Sequence, residues 1–160
     1  MAKFKYKLQN ILDIKYRMED QAKAVFAAAQ AKLDEEEAIR DHLIQRRIEY
    51  EIKGRRLREE VLDLIDMRDN DRAIENIKGQ IKEQEKNVEA ARKTVEQARL
   101  RLTDAMQERK IHEKLKENSF DEFKHEVNAA ESKEIDELVS YTYGERIKAN
   151  NQVKDSTQDG

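Results

Sequence analysis

Histidine, carboxylate and glycine residues are the ones in this chain whose types could support catalysis or hold a metal or a phosphate. The histidines, His42, His112 and His125, are too widely separated to share one helix face, and no HExxH motif is present. Zinc sites need ligands at short, defined spacings, so we expect no metal site. Gly54 and Gly79 are isolated within helical patterns, so no phosphate-binding loop is expected.

The cysteine and carboxylate content of the chain does not indicate an enzyme either. The chain has no cysteine, which excludes thiol chemistry and a disulfide framework. Aspartate and glutamate number 35 among 160 residues, so carboxylate pairs are expected by chance. A catalytic site needs convergent groups in a pocket that excludes water. We therefore predict no catalytic residues, no cofactor and no small-molecule substrate.

Residues 46–58 form the strongest local concentration of positive charge. The basic side chains there are Arg46, Arg47, Lys53, Arg55, Arg56 and Arg58. The acidic neighbours are Glu49, Glu51, Glu59 and Glu60. One interpretation is a surface for an acidic partner, and the other is a solvated helix face with compensated charges, which is usual in coiled coils. The net charge of −3 and the interleaved acids argue against nucleic-acid binding.

The composition of the chain indicates that long helices position all of these residues. The chain has no proline and only four glycines, so long helices can run without interruption. Charged residues make up 42% and aromatic residues 6%, which suits helices that each bury a narrow face. The longest apolar run, residues 24–29, is too short to span a bilayer, and we see no signal peptide. We expect a cytoplasmic protein.

The second half of the chain carries two clear heptad tracks. The first holds the large residues Ile74, Ile81, Val88, Val95 and Leu102. The second holds Ile77, Gln84, Ala91, Ala98 and Ala105. Large residues on one track need a partner helix, because a lone helix would leave them in water. Later, Ser119 and Glu122 have the capping-box spacing, so a fresh helix start near Asn118 is an alternative to one continuous helix.

The first half of the chain also predicts a seam, with one irregularity. The predicted seam residues are Phe4, Ile11, Met18 and Val25, followed by Leu43, Tyr50, Leu57 and Leu64. Leu8, Lys15, Ala22 and Ala29 flank the first four. The step from Val25 to Leu43 is two heptads plus four residues, which predicts a stutter that locally unwinds the supercoil.

Residues 66–71, Asp-Met-Arg-Asp-Asn-Asp, break the apolar pattern and predict a reversal of the chain. Asp69, Asn70 or Asp71 could cap the following helix. We predict helix one over residues 3–65, a turn at 66–70 and helix two over 71–145. Short connections favour antiparallel neighbours, so the expected fold is all-α, a long antiparallel two-helix coiled coil or αα-hairpin. It forms a single domain, residues 1–148, followed by a disordered tail, residues 149–160.

A second apolar row lies on helix one, away from its predicted seam. Ile44, Ile48 and Ile52 follow one another at steps of four and lie on the face opposite Tyr50 and Leu57. A two-helix hairpin would leave the three isoleucines exposed. The row is either a partner-binding face or part of a wider core formed by further helices.

Three segments carry a further signal: residues 4–22, which begin Phe-Lys-Tyr-Lys-Leu, residues 108–117, Glu-Arg-Lys-Ile-His-Glu-Lys-Leu-Lys-Glu, and residues 131–138, Glu-Ser-Lys-Glu-Ile-Asp-Glu-Leu. They resemble the flagellar FliJ family, a coiled-coil component of the flagellar type III protein export apparatus. The resemblance spans nearly the whole chain. It implies a two-helix coiled coil similar to the central stalk of rotary ATPases.

The resemblance also implies partners. Family members insert as a stalk into the hexameric export ATPase, promote its assembly and activity, contact the cytoplasmic domain of the export gate protein, and can bind export chaperones. By resemblance, the gate contact falls on Ile77, Ile81, Gln84 and Val88. The ATPase end falls on Phe4, Leu8, Ile11, Ile135 and Leu138. We expect peripheral association with the inner membrane through the export apparatus.

Two alternatives share this architecture. One is the equivalent stalk of a virulence-type secretion system, which the sequence separates poorly from a flagellar one. The other is a structural coiled coil whose partner is a second copy of itself.

Overall fold

Two long helices account for nearly all of the regular structure of the protein. The computed structural model describes residues 2–60 and 63–158, with side chains to residue 154. Helix α1 spans Gln9–Glu59 and helix α2 spans Leu64–Gln158. No strand occurs within these described ranges. The predicted all-α class is confirmed, and it follows from the absence of proline and the scarcity of glycine.

The reversal between the helices lies earlier than the sequence predicted. Residues 66–70, the predicted turn, form part of α2, and the chain leaves α1 after Glu59. The Asp63 side chain explains the difference. Its Oδ1 accepts hydrogen bonds from the backbone N–H groups of Ile65, at 3.0 Å, and Asp66, at 3.3 Å. Asp63 is therefore the N-cap of α2, and the predicted caps at 69–71 lie inside the helix.

The far end of α2 also differs from the prediction. The helix continues past Asn118 without a fresh start and extends to Gln158, whereas we predicted an end near residue 145 and a disordered tail from 149. No proline or glycine stands between residues 145 and 158 to end the helix. Residues 159–160 of the predicted tail lie outside the described residues.

The chain divides into two compact units, where the sequence predicted one. We call Asp13–Lys110 the central unit, and Met1–Leu12 with Ile111–Gly160 the terminal unit. In the central unit, α1 and α2 pack as an antiparallel pair. Contacts join Glu19 to Arg109 and Glu36 to Gln84, so the partner number falls as the α1 number rises. This is the helical hairpin that the sequence predicted.

The seam of the central unit consists of two unbroken heptad tracks on each helix, and all of their members are buried or half-buried. On α2 they are the two predicted tracks, one beginning at Ile74 and the other at Ile77. Asn70, which was predicted to lie in the turn, adds one more buried position at the start of the second track. On α1 one track comprises Glu19, Phe26, Leu33, Arg40, Arg47 and Gly54. The other comprises Lys15, Ala22, Ala29, Glu36, Leu43, Tyr50 and Leu57.

These tracks correct the predicted phase of helix one. Ile11, Met18 and Val25 are 39%, 44% and 52% exposed, so the first predicted track faces solvent. The predicted flanking track, from Lys15 to Ala29, belongs to the seam and continues directly into Leu43, so no stutter exists. Leu64, the last predicted seam residue on this helix, is 74% exposed at the start of α2.

The terminal unit is organised around the residues that precede α1. Residues 2–6 are not helical, and the Tyr6 carbonyl accepts a hydrogen bond from the Gln9 N–H at 3.2 Å. The Phe4 ring packs against Phe120 and Phe123, with centroids 5.2 and 5.5 Å apart. Edge and tilted ring contacts of this kind stabilise aromatic clusters. They anchor the N-terminal segment to α2 within this unit.

Candidate functional site

No metal centre or membrane span is seen in the part of the chain that the structure describes. Residues 2–60 and 63–158 contain no group of three or more histidine, cysteine or acidic side chains placed to hold a metal ion. Within the same ranges neither helix contains a stretch apolar enough to cross a bilayer. The three histidines differ in solvent exposure, since His112 is half-buried whereas His42 and His125 are exposed.

A polar layer lies at the middle of the central seam. Gln84 donates from Nε2 to the backbone carbonyl of Glu36 at 2.9 Å and also to the Glu36 carboxylate. Lys32 lies 2.8 Å from the same carboxylate. Hydrogen bonds from Lys32 and Gln84 hold the pKa of Glu36 below its usual range, although burial acts in the opposite direction. The layer is satisfied internally, so it supports the pairing and offers nothing to a ligand.

A second polar layer lies nearer the boundary of the central unit. The Glu19 carboxylate pairs with Arg109 on α2 and, at 3.2 Å, with Lys23. Burial would raise the pKa of Glu19, but the hydrogen bonds from Lys23 and Arg109 outweigh it, so that pKa is lowered. Lys15 pairs with Glu108 at 2.8 Å beside this layer. These charges are neutralised within the seam and do not form an acid–base site.

The four positions assigned by resemblance to the gate contact are not available on the surface. Ile77, Ile81, Gln84 and Val88 retain only 3%, 7%, 7% and 2% of their accessible surface. They face α1 because they occupy the two heptad tracks of α2. A partner could reach them only if the two helices separated. The structure therefore offers no gate surface at these residues.

The isoleucine row of α1 lies outside the seam, as its spacing predicted. Ile44, Ile48 and Ile52 are 37%, 42% and 43% exposed. Leu43 and Tyr50, which lie close to them in the sequence but on the inner face of α1, are half-buried. Large apolar side chains in a row on the outer face mark a surface suited to a protein partner.

The residues assigned to the ATPase end all belong to the terminal unit. Phe4 is half-buried in the aromatic cluster, whereas Leu8 and Ile11 are 44% and 39% exposed. Ile135 and Leu138 are 59% and 66% exposed on α2. Phe4 therefore holds the N-terminal segment in place. Leu8, Ile11, Ile135 and Leu138 expose apolar surface to solvent.

Ile135 and Leu138 are part of a larger apolar face that the sequence analysis missed. Val139 and Tyr143 extend it at helical spacing, with exposures of 62% and 66%. The signal was present in the sequence as apolar residues at steps of three and four. We name residues 135, 138, 139 and 143 the C-terminal face. It is the most extensively exposed apolar helix face in the described part of the terminal unit.

The basic stretch at residues 46–58 is partly compensated, as the solvated-face interpretation expects. Arg47 pairs with Glu51 at 3.0 Å along α1. Arg58 approaches Asp71 of α2 at 3.9 Å. Exposed pairs of this kind contribute little to stability. They do, however, reduce the local excess of positive charge that an acidic partner would need.

Comparison with known proteins gives one family. A family model described as "Flagellar FliJ protein" matches residues 4–148 of the chain. The match covers all three segments on which the sequence resemblance was based. Comparisons with curated proteins and with solved structures gave no significant match.

Proposed function

Because this protein belongs to the flagellar FliJ family and is therefore a component of the flagellar protein export apparatus, we propose that it is a non-catalytic stalk for the hexameric export ATPase. In this role it also contacts the cytoplasmic domain of the export gate protein, and so supports transport of flagellar subunits. The observation that carries the ATPase contact is the C-terminal face of α2.

An exposed apolar helix face of this size favours association. Its members Leu138, Val139 and Tyr143 each keep more than three-fifths of their surface in water. Transfer of apolar surface out of water contributes roughly 25 cal/mol per Å². A face formed by one amphipathic helix fits a groove or the inner wall of a ring, where apolar anchors at i, i+3, i+4 and i+7 are buried together.

The gate contact is proposed for the isoleucine row of α1. With Ile77, Ile81 and Val88 buried in the seam, Ile44, Ile48 and Ile52 remain as an exposed apolar row on the outer surface of the central unit. The row and the C-terminal face are built from different residues in different units. Variants can therefore test the two contacts separately.

Docking into a ring would be asymmetric. One helix face cannot make the same contacts with six identical subunits, so it favours one ring conformation at a time. Any effect on hydrolysis must arise from a difference in affinity between ring states, because a ligand shifts an equilibrium only by its differential binding. A complex in which the protein binds only the outside of the ring would contradict this mechanism.

The test is ATP hydrolysis by the export ATPase of the same organism, measured with and without this protein and accompanied by sizing of the hexamer. We expect faster turnover and more hexamer with the natural chain. The variant Ile135→Asp/Leu138→Asp should lose both effects. Val25→Asp/Leu100→Asp is the matched control, because those residues are 52% and 51% exposed in the central unit.

Three results would contradict the proposal. Turnover and hexamer content could be unchanged by the natural chain, or the control could fail as completely as the C-terminal variant. Alternatively, light scattering could show that the C-terminal face holds two copies of this chain together. That outcome would favour the self-associating coiled coil. A virulence-type ATPase stimulated in preference to the flagellar one would favour the other stalk.

A further inference from the structure

The segment before α1 has a regular alternation of buried and exposed side chains. Phe4 and Tyr6 are half-buried, whereas Lys3, Lys5 and Lys7 between and beside them are exposed. The Phe4 ring is fixed against two aromatic rings of α2, as described above. The backbone of the segment is therefore anchored, and its lysines project from a defined position.

Two of these lysines line a concave, purely basic groove in the terminal unit. The groove has a volume of about 520 Å³, and its lining consists of Phe4, Lys5, Tyr6, Lys7, Gln9 and Lys116. Three of the lining residues are lysines and none is acidic. This composition contrasts with the rest of the chain, where acids and bases are interleaved and the net charge is −3.

Tyr6, one of the residues that line the groove, also carries an unused hydrogen-bonding group. The Tyr6 hydroxyl oxygen is buried, and no described group hydrogen-bonds to it. A buried hydroxyl without a partner is costly. A phenolic O–H can donate to a carboxylate, which is a strong, charge-assisted hydrogen bond. The Tyr6 hydroxyl and the three lysines can therefore both bind carboxylate groups of a ligand.

We propose that this groove binds an acidic, extended peptide segment of a partner protein. Carboxylates of the segment pair with Lys5, Lys7 and Lys116, and a small shift of the Tyr6 ring on binding lets one of them accept a hydrogen bond from its hydroxyl. Apolar side chains of the segment pack on the exposed edges of the Phe4 and Tyr6 rings. The inference does not depend on the ATPase contact proposed for the C-terminal face, because it uses other residues and is tested with an isolated peptide.

The geometry favours a peptide over an anionic membrane surface. Membrane-surface segments insert their aromatic side chains, but Phe4 is engaged with Phe120 and Phe123. The adjoining groove shares Phe4, Lys5, Tyr6 and Lys7 with this one, and its lining also includes Lys3, Glu122 and Glu126. Those carboxylates would repel a uniformly anionic plane. A narrow acidic segment can instead run past Gln9 and Lys116, which line the basic groove and not the adjoining one.

The experiment is fluorescence anisotropy of the full chain with a labelled peptide, Glu-Leu-Asp-Glu-Leu-Asp-Glu. The variant Lys5→Glu/Lys7→Glu/Lys116→Glu should bind about tenfold more weakly or worse, because it exchanges three attractions for three repulsions. Lys82→Glu/Lys93→Glu/Lys133→Glu is the control, since it makes the same change in net charge at exposed lysines outside the groove. Circular dichroism verifies that both variants keep their helix content.

A second variant separates the groove from general charge attraction. Tyr6→Phe keeps the ring and removes the hydroxyl, and we expect roughly threefold weaker binding at unchanged net charge. Equal binding by the natural chain, the groove triple variant and the control would overturn the proposal. So would a preference for vesicles of equal parts phosphatidylglycerol and phosphatidylcholine that depends on the same three lysines. That result would assign the groove to a lipid surface.

Discussion

The side-chain amide of Gln84 spans the central seam and donates to both the backbone carbonyl and the carboxylate of Glu36, residues 48 positions apart in the sequence. The contact places a polar layer where a coiled coil usually buries apolar side chains. It also aligns α1 and α2 at one register, because a shift by a single turn would leave the carboxylate in the seam without its donor.

Gln84→Leu should lower the free energy of unfolding by about 1–3 kcal/mol, because the donor to a buried acceptor is lost while the acceptor remains. Replacing both partners, Gln84→Leu with Glu36→Leu, should restore much of the loss, since an apolar pair in the seam leaves nothing unsatisfied. Urea denaturation measures both. Gln80→Leu, on the exposed side of α2, serves as the control. If the double variant were less stable than the single one, the polar layer would be favourable in its own right.

Gly54 and Gly79 should respond in opposite directions to alanine. A Cβ on Gly54 would lie 2.8 Å from Asn70 Nδ2, which donates to the Tyr50 carbonyl at 3.0 Å. Gly54→Ala should therefore displace Asn70 and lower the melting temperature. A Cβ on Gly79 meets nothing within 4 Å, so Gly79→Ala should gain about 0.5–1 kcal/mol of helix stability. Thermal melts followed by circular dichroism compare them.

The outcome for Gly54 has its own check. Adding Asn70→Ala to Gly54→Ala removes the atom that the new methyl group would meet. The combined variant should then be more stable than the sum of the two single changes predicts. Strict additivity would show that the close approach of Asn70 to Gly54 is not what disfavours alanine there.

The phase of α1 can be tested with one lysine on each of two tracks. Leu33 is 9% exposed and packs against Val88 and Ala91, so Leu33→Lys should cost about 3 kcal/mol or more. Val25 is 52% exposed, so Val25→Lys should change stability by no more than about 0.5 kcal/mol. Chemical denaturation gives both values. A large loss of stability for Val25→Lys would show that Val25 lies in the seam, as the apolar pattern of the sequence predicted.

Acid should weaken the central unit through its two seam carboxylates. Hydrogen bonds from Lys32 and Gln84 lower the pKa of Glu36 from 4.5, and hydrogen bonds from Lys23 and Arg109 lower that of Glu19 in spite of its burial. A carboxylate with a lowered folded-state pKa stabilises the fold fully above its unfolded value. This stabilisation is lost as pH falls through the folded value. Stability should therefore decline below about pH 4.5.

The measurement for this pH dependence is a series of thermal melts between neutral pH and about pH 3. Glu19→Gln/Glu36→Gln should show a shallower decline with acid than the natural chain, from a lower stability at neutral pH. Glu85→Gln/Glu89→Gln, at exposed positions of α2, should decline as steeply as the natural chain. Equal slopes for all three proteins would mean that other carboxylates govern the acid response.

The gate assignment shows why resemblance alone could not locate a surface. Ile77 and Val88 have the size and spacing of binding anchors, and the same size and spacing suit a seam. A helical residue is apolar in both cases, and only the position of the second helix decides which applies. The C-terminal face shows the converse, because Val139 and Tyr143 continue the Ile135 and Leu138 pattern where no described helix covers them.

The sequence by itself determined the helical class, the existence of one reversal, and both tracks of α2. Each depends on local properties: the absence of proline, the scarcity of glycine, and large apolar residues at a strict period of seven. Only the tertiary structure decided the phase of α1 and the position of the turn. The inner face of α1 carries Glu19 and Glu36, which hydropathy assigns to solvent. Their partners, Arg109 and Gln84, are distant in sequence, so the compensation that permits their burial exists only once the two helices are paired.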